Sequence, residues 1–330
     1  MNRNRTAVGA ALLAAASLAL TACSADTTTA DTSGGTTDVR MATLPWIGYG
    51  GWDIAEADGI FADNGLNVEQ TTFNTDADLN AAFVSGQVDV ANVATHTALM
   101  MRQQGVPVQI VLVLDVSTTA DAIVVPASVT SVADLAGMQI AYEQGTTSDL
   151  LLNYALSTEG LTIEDVEPVP MAASDAGVAL IGDRVGAAVT YEPYITAALG
   201  ENPDLTLLYT AGELPGLVSD VLVVSEDFVA SSPDAVQALV DSWGGAIESY
   251  DADPDAGRAI IADAVGEDAE ALSTAFDGVE FWGADKNASD LEGSFSADTL
   301  PLVLKAAQGA GIITGDVEIG DLVDPQFVTP

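Results

Sequence analysis

Aromatic residues and glycines alternate in the stretch from Trp46 to Trp52, which reads Trp-Ile-Gly-Tyr-Gly-Gly-Trp. Three glycines in seven residues argue against a buried strand, because glycine adds no packing and loses much backbone entropy on folding. In a loop, glycines let backbone N–H groups approach a bound molecule, and the rings of Trp46, Tyr49 and Trp52 can hold a cation or an apolar group. The stretch therefore predicts one wall of a binding site. The alternative is that one or two rings cap the core of the fold.

Hydroxyl groups and the only histidine of the chain occur at 92–97, where a predicted strand gives way to a helix. Thr95 and His96 lie in this segment. Free N–H groups at the start of a helix can bind a carboxylate or sulfonate, although threonine there also acts as a plain helix cap. His96 either contacts the ligand or is structural, and we expect no metal site because it has no partner ligands.

Two later segments also carry polar side chains into predicted helices. The segment 143–148 offers an acid, three hydroxyl groups and backbone donors, and its hydroxyls can cap the helix as well as bind a ligand. The segment 190–194 offers a carboxylate and an aromatic ring before Pro193, which suits a first helical position, and its acid can instead favour the positive helix start. The candidate binding residues here are Glu143, Thr146, Thr147, Ser148, Tyr191, Glu192 and, at the start of the strand 121–126, Asp121.

The candidate binding segments contain neither arginine nor lysine; they are 46–52, 92–97, 115–121, 143–148 and 190–194. An anion such as nitrate usually needs a buried cation to balance it, and Asp121, Glu143 and Glu192 would oppose an anion. We therefore predict a cationic or zwitterionic ligand with an amine-like end. A small amino-sulfonate such as taurine, a nitrogen heterocycle or an amine fits this chemistry.

Short apolar strands alternate with helical patterns, which is typical of an α/β fold with mainly parallel sheets. In open α/β sheets ligands bind outside the carboxyl ends of the strands, and this rule selects the five segments. The similar strands 121–126 and 220–225 enclose a second βαβ series. They predict two crossover hinge strands between lobe 1 (39–120 plus 222–330) and lobe 2 (121–221). Other patterns predict helices at 76–84, 233–250, 254–265, 267–276 and 297–308.

The first 23 residues have the features of a secretory signal, with Arg3 and Arg5 before an apolar run that is too short for a comfortable membrane span. The run ends in Leu-Thr-Ala-Cys, which resembles a bacterial lipobox and predicts lipidation of Cys23. Residues 24–38 are small and polar and predict a flexible tether. We therefore expect a protein anchored by lipid to the outer face of the cytoplasmic membrane. The alternative is a secreted protein with an incidental free cysteine.

The formal net charge of −41 excludes nucleic acid as a reasonable partner, since nucleic-acid binding needs a basic face. Removal of the predicted signal brings the charge to −43, because Arg3 and Arg5 are lost and no acid is. The sequence shows no Ser-His-Asp order, no phosphate-binding loop and no metal-ligand cluster. These features predict a binding protein without cofactor or metal rather than an enzyme.

Four stretches in order resemble one family of solute-binding proteins: 57–68 (Ala-Asp-Gly-Ile-Phe-Ala-Asp-Asn-Gly-Leu-Asn-Val), 85–91, 145–152 and 189–194. Members of this family serve ABC importers for nitrate, sulfonates, taurine and thiamine-pyrimidine precursors. The resemblance implies a two-lobed, type II-like periplasmic-binding fold with a small molecule held between the lobes. It also implies an ABC permease and a separate ATPase subunit as partners. We expect the protein to act as a monomer.

Two other functions share this fold. A sensor module would present its ligand to a membrane receptor from the same cleft. Thiamine-pyrimidine synthases resemble the chain in outline, but they carry a cysteine-rich motif and a lysine that holds pyridoxal phosphate. This chain has no cysteine after Cys23 and only two lysines, Lys286 and Lys305. We therefore do not expect catalysis.

Overall fold

Two β-sheets covered by helices organise the protein. The computed structural model describes residues 36–329, so the predicted signal at 1–23, with Cys23, and most of the tether at 24–38 lie outside the described residues. Within 36–329 no helix is long and apolar enough to cross a membrane. The α/β class predicted from the alternation of strands and helices is confirmed.

The strands and helices of the described chain have the following bounds. The first sheet contains, in spatial order, β11 (Val279–Phe281), β4 (Val108–Ser117), β10 (Ser219–Ser225), β3 (Val90–Ala94), β1 (Thr37–Thr43) and β2 (Leu66–Thr72). The second contains β7 (Glu167–Pro170), β6 (Gln139–Tyr142), β8 (Ala187–Tyr191), β5 (Asp121–Pro126) and β9 (Leu205–Thr210). The helices are α1 (Gly51–Ala57), α2 (Ile60–Asp63), α3 (Asp76–Val84), α4 (Thr95–Gln103), α5 (Thr147–Thr158), α6 (Ala173–Ile181), α7 (Tyr194–Glu201), α8 (Glu226–Ser231), α9 (Pro233–Ala252), α10 (Pro254–Val265), α11 (Ala284–Asp290) and α12 (Leu300–Gly309).

Both sheets are mixed. Strand β1 pairs in parallel with β2 and β3, and β6 does so with β7 and β8. Strands β5 and β10, in contrast, run antiparallel to both of their neighbours. The sheets are therefore less uniformly parallel than the sequence pattern predicts, because the two strands that follow the crossings lie inside the sheets.

The chain passes between the sheets twice. Residues 118–120 lead from β4 in the first sheet to β5 in the second, and residues 211–218 lead from β9 back to β10. Strand β10 begins at Ser219, so residues 219–221, which the predicted boundary places in lobe 2, pair within the first sheet. The division into two lobes that move as bodies stays a prediction.

Local signals explain why some helices match their predicted bounds. Helix α3 begins where the Thr75 hydroxyl accepts the Asp78 N–H at 3.2 Å, and Gly86 beyond its end has a φ of 71°. The helix predicted at 267–276 is wrong: this segment forms turns before a short 3₁₀ turn at Phe276–Gly278. Ten residues of helical preference are marginal without a packing partner along their whole length.

The glycines of 46–52 make room for neighbouring side chains. A Cβ atom on Gly48 would collide with the Trp46 indole and the Asp115 carboxyl, and one on Gly50 would collide with Ile261. On Gly51 it would lie 2.5 Å from the Trp243 ring. Close packing accounts for these glycines, and the approach of a ligand to their backbone stays a prediction.

We expect Gly51→Ala to destabilise the protein by about 1–3 kcal/mol, because the added methyl group overpacks a rigid site. The Trp243 ring cannot move freely, since it is fully buried and its Nε1–H donates to the Trp282 carbonyl at 2.8 Å. Urea unfolding followed by circular dichroism measures the change. Gly200→Ala is the matched control: Gly200 is also helical, nothing lies within 4 Å of its added Cβ, and the variant should be neutral or slightly stabilised.

Candidate functional site

A small cavity of about 30 Å³ lies where the two sheets face each other. It sits outside the carboxyl ends of β1, β2, β3, β6 and β8, which is where open α/β sheets bind ligands. The lining residues from the side of the first sheet are Leu44, Trp46, Tyr49, Asp76, Ala94, Val218 and Asp220, and those from the second are Asp121, Thr146, Thr147 and Tyr191. Six of the twelve predicted binding residues therefore meet at one cavity.

Aromatic side chains form one wall of this cavity. The Trp46 Nε1–H donates to Asp115 Oδ2 at 3.3 Å, and the Tyr49 hydroxyl donates to Asp220 Oδ1 at 2.8 Å. The Trp46 ring meets the edge of Tyr191, with centroids 5.8 Å apart and ring planes at 89°. The wall thus joins residues of both sheets and ties its rings to carboxyl groups.

Trp52 belongs to the core and not to the cavity. Its side chain is fully buried, its ring stacks on Phe61 at 6.0 Å, and it packs against Trp243 at 4.8 Å. Its Nε1–H donates to Asn92 Oδ1 at 2.9 Å. The structure therefore corrects the expectation of three rings in the cleft: helix α1 begins at Gly51 and turns Trp52 away from Trp46 and Tyr49.

Aspartates with raised pKa values surround the cavity. Burial, reinforced by repulsion from Asp220, raises the pKa of Asp121 to about 8. Burial, with repulsion from Glu143 and Asp220, raises the pKa of Asp76 to about 7. Among the described residues that line the cavity, none is Arg or Lys. These acids therefore lack the positive partner that would hold them ionised, and a bound cation would supply it.

A buried pair of carboxyl groups lies behind the aromatic wall. Asp115 and Asp220 are register partners in the β4–β10 ladder. Burial and the neighbouring Asp220 raise the pKa of Asp115 well above its usual range. Burial raises the pKa of Asp220 to about 6, and its hydrogen bonds with Tyr49 and Asp115 limit that rise. The Asp115 Oδ1 has no hydrogen-bond partner among the described residues.

Comparison with known proteins identifies the family of this chain. A family model described as NMT1/THI5 like matches residues 49–257. The chain belongs to this family. The taurine-binding periplasmic protein of Escherichia coli (strain K12) is 28% identical to this NMT1/THI5-like chain over 203 residues, which is 61% of this chain and 63% of that protein. The alignment thus spans less than two thirds of that relative's length.

Solved structures show the fold. The alkanesulfonate-binding protein SsuA from Xanthomonas axonopodis pv. citri, bound to MOPS, superposes with a TM-score of 0.72 at 17% identity, covering 88% of this chain and 99% of that one. The ligand-binding component of an ABC-type import system from Staphylococcus aureus, with zinc bound, gives 0.75 at 14% identity, covering 89% and 98%. The predicted periplasmic-binding-protein fold is confirmed.

The remaining predicted residues of the NMT1/THI5-like chain lie beside the cavity and support its walls. Thr95 Oγ1 lies 2.8 Å from Ser219 Oγ, and Ser148 donates its backbone N–H to Thr146 Oγ1 at 3.3 Å. His96 is buried, which lowers its pKa to about 4 although a hydrogen bond with the Gly145 backbone acts in the opposite direction. His96 is therefore neutral at neutral pH. Within 36–329 no group of three or more His, Cys, Asp or Glu side chains could hold a metal ion.

The Glu143 and Glu192 carboxylates each accept a hydrogen bond from a backbone N–H group in the first turn of a helix that packs on the second sheet. Glu143 Oε2 accepts from the Ala173 N–H at 3.2 Å, at the start of α6, and Glu192 Oε2 accepts from the Thr196 N–H at 3.0 Å in the first turn of α7. Neither lines the first cavity. For Glu192 this contact agrees with the second role considered from the sequence, in which the carboxylate interacts with the positive start of a helix.

Sequence reasoning missed Asp76 as a site residue and treated Asp220 only as part of a crossing strand. Asp76 is the first residue of helix α3, which follows β2. The rule that ligands bind outside the carboxyl ends of strands would have selected Asp76 if it had also been applied to β2. Asp220 carries no local signal, because its place opposite Asp115 depends on strand pairing across more than 100 residues of sequence.

Proposed function

We propose that this protein is the extracytoplasmic solute-binding component of an ABC importer and that it captures a small polar organic molecule with a positively charged amine end. The observation that carries the proposal is the cavity lined by Asp76, Asp121 and Asp220 and by aromatic rings, with no basic side chain among its described lining residues. Carboxylates and ring faces both attract ammonium groups. The family and its relatives support the transport role.

The ligand can also carry a negative end. Thr146 and Thr147 line the cavity at the start of helix α5, where free N–H groups favour an anion. A taurine-like zwitterion would place its amine toward Asp121 and Asp220 and its sulfonate toward this helix. A nitrogen heterocycle or a simple amine would use the carboxyl groups and the Trp46 and Tyr191 rings.

Ligand capture requires the cleft to open. Cavities that enclose small molecules usually measure about 300–1,000 Å³, whereas this one measures about 30 Å³. The two crossings at 118–120 and 211–218 are the natural hinges, and a ligand favours closure through the contacts it gains there. The closed form docks on a permease, and a separate ATPase subunit drives release. The lipid on Cys23 would hold the monomer at the outer face of the cytoplasmic membrane.

We infer binding without catalysis or cofactor, because the cavity offers acids and aromatic rings but no described nucleophile–base pair. The taurine-binding relative is a binding protein by name. The sensor alternative would use the same cavity, and permease and ATPase genes beside the gene for this chain would favour the importer.

Titration calorimetry of the purified protein against taurine, butylamine, an aminopyrimidine and nitrate tests the proposed ligand class. We expect at least one compound with an amine to bind and nitrate not to bind. Binding should also quench or shift the fluorescence of Trp46, and a Trp46→Phe variant identifies that signal. Tight nitrate binding without binding of any amine would contradict the proposal.

A further inference from the structure

A second cavity of about 440 Å³ adjoins the first. Asp76 and Thr146 line both cavities, so these two residues lie between the two spaces. The second cavity lies between the start of α3, the segment before α5 and the turn after α12. Its other lining residues are Ala77, Asn80, Met100, Glu143, Gln144, Gly145, Asp149, Ala310, Gly311 and Ile312.

The polar groups of the second cavity are mainly acceptors. Asp76, Glu143 and Asp149 contribute carboxyl groups, and none of the described lining residues is basic. Asp149 is already engaged, because it accepts from the Gly145 N–H at 2.9 Å and from the Asn153 amide at 2.7 Å. Asn80 Oδ1 is buried and has no partner among the described residues. The end of the cavity near Asp76 and Asn80 therefore holds acceptors that lack a donor.

The far end of the first cavity is also acidic. Asp121 and Asp220 line it, and Asp115 behind them is fully buried with an unpartnered oxygen. Repulsion acts between the two ends as well, since Asp76 interacts with both Asp220 and Glu143. One ammonium group placed at either end would leave the acids of the other end without a counter-charge.

We propose that the ligand is an elongated molecule with two ammonium groups, one held by Asp121 and Asp220 in the first cavity and one held by Asp76, Asn80 and Glu143 in the second. This inference rests on the proposed function and narrows its ligand class to diamines. In the ligand-bound form the linking chain passes between the two cavities beside Asp76 and Thr146, which line both, and the aromatic wall covers the end at Asp121.

Matched monoamines and diamines test this inference on the unmodified protein. Titration calorimetry would compare butylamine with diaminobutane, and propyl and pentyl pairs would follow. We expect one diamine to bind at least about tenfold more tightly than the monoamine of the same length, as a second charged hydrogen-bonded group would give. If monoamines bind and every diamine binds no more tightly, the second subsite is refuted and the proposed function stands. If no amine binds, the proposed function fails.

Asp76→Asn locates the second ammonium group. Because Asp76 lines both cavities, we expect this variant to lower the affinity for both amines, but to lower diaminobutane affinity at least about tenfold more than butylamine affinity. Asp78→Asn is the control, because Asp78 lies in the same first turn of α3, is exposed and lines neither cavity. An equal loss for both amines in Asp76→Asn would overturn the two-subsite arrangement. Thermal unfolding of each variant shows whether it is folded.

Discussion

Asp121→Asn should weaken the binding of an alkylammonium such as butylamine at least about 100-fold. Asp121 opens strand β5 beside the first crossing, and its side chain is buried in the wall of the cavity. The amide has almost the same shape but carries no charge, and its NH₂ group would point donors at an ammonium group that is itself a donor. Loss of one partner from a buried charge pair reduces affinity by about 2–5 kcal/mol.

The measurement is titration calorimetry at about pH 8.5, where wild-type Asp121 is mostly ionised given its pKa of about 8. Asp204→Asn is a suitable control. Asp204 is exposed in the turn before β9 and does not line the cavity, so this substitution removes the same formal charge outside the site. Comparison of the two variants separates the local effect from the change in net charge. Equal affinity of Asp121→Asn and wild type would remove this residue from the ligand site.

Sequence reasoning placed elements well where the chain carries its own start and stop signals. Strand β5 and helices α3 and α10 have the predicted bounds, and α10 begins after the Asp253 cap and ends at Gly266 with a φ of 80°. Strand β9 was missed although Leu205–Thr210 is rich in strand formers. It pairs only with β5, at the edge of the second sheet. Its formation therefore depends on hydrogen bonds to a strand that is distant in the sequence.

The binding site, like the fold, has features that the sequence predicted and features that it did not. The rule that ligands lie beyond strand ends brought Trp46, Tyr49, Asp121, Thr146 and Tyr191 to one cavity without knowledge of the fold. The rule does not say which way a side chain turns. Trp52 follows a 3₁₀ turn and lies on the core side of α1, and the partner of each acid is set by contacts between distant strands. Those facts depend on packing, which no short stretch of sequence contains.

The free energy of unfolding of the ligand-free protein should fall by about 4–6 kcal/mol between about pH 5.5 and pH 8.5. The pKa values of Asp121, Asp76 and Asp220 are raised in the folded state to about 8, 7 and 6 from a usual value of 3.8. The folded protein therefore binds more protons than the unfolded chain across this range. The stability that these protons confer is complete below the unfolded pKa and is lost as pH rises through the folded values.

His96 acts in the opposite direction and limits the size of the change. Its pKa falls from 6.5 to about 4 on folding, so it destabilises the folded state below about pH 6.5 and has no effect above about pH 7.5. Asp53 also titrates in this window, because burial raises its pKa to about 6, and its contribution adds to the fall in stability. Urea unfolding at several pH values measures how the free energy of unfolding changes with pH. Asp121→Asn should reduce this change above pH 7, and Asp204→Asn should not.

A stability that is constant or rises from about pH 7 to pH 8.5 would mean that the carboxyl groups of the cleft are ionised without a ligand. The site would then not depend on a cation to balance its charge.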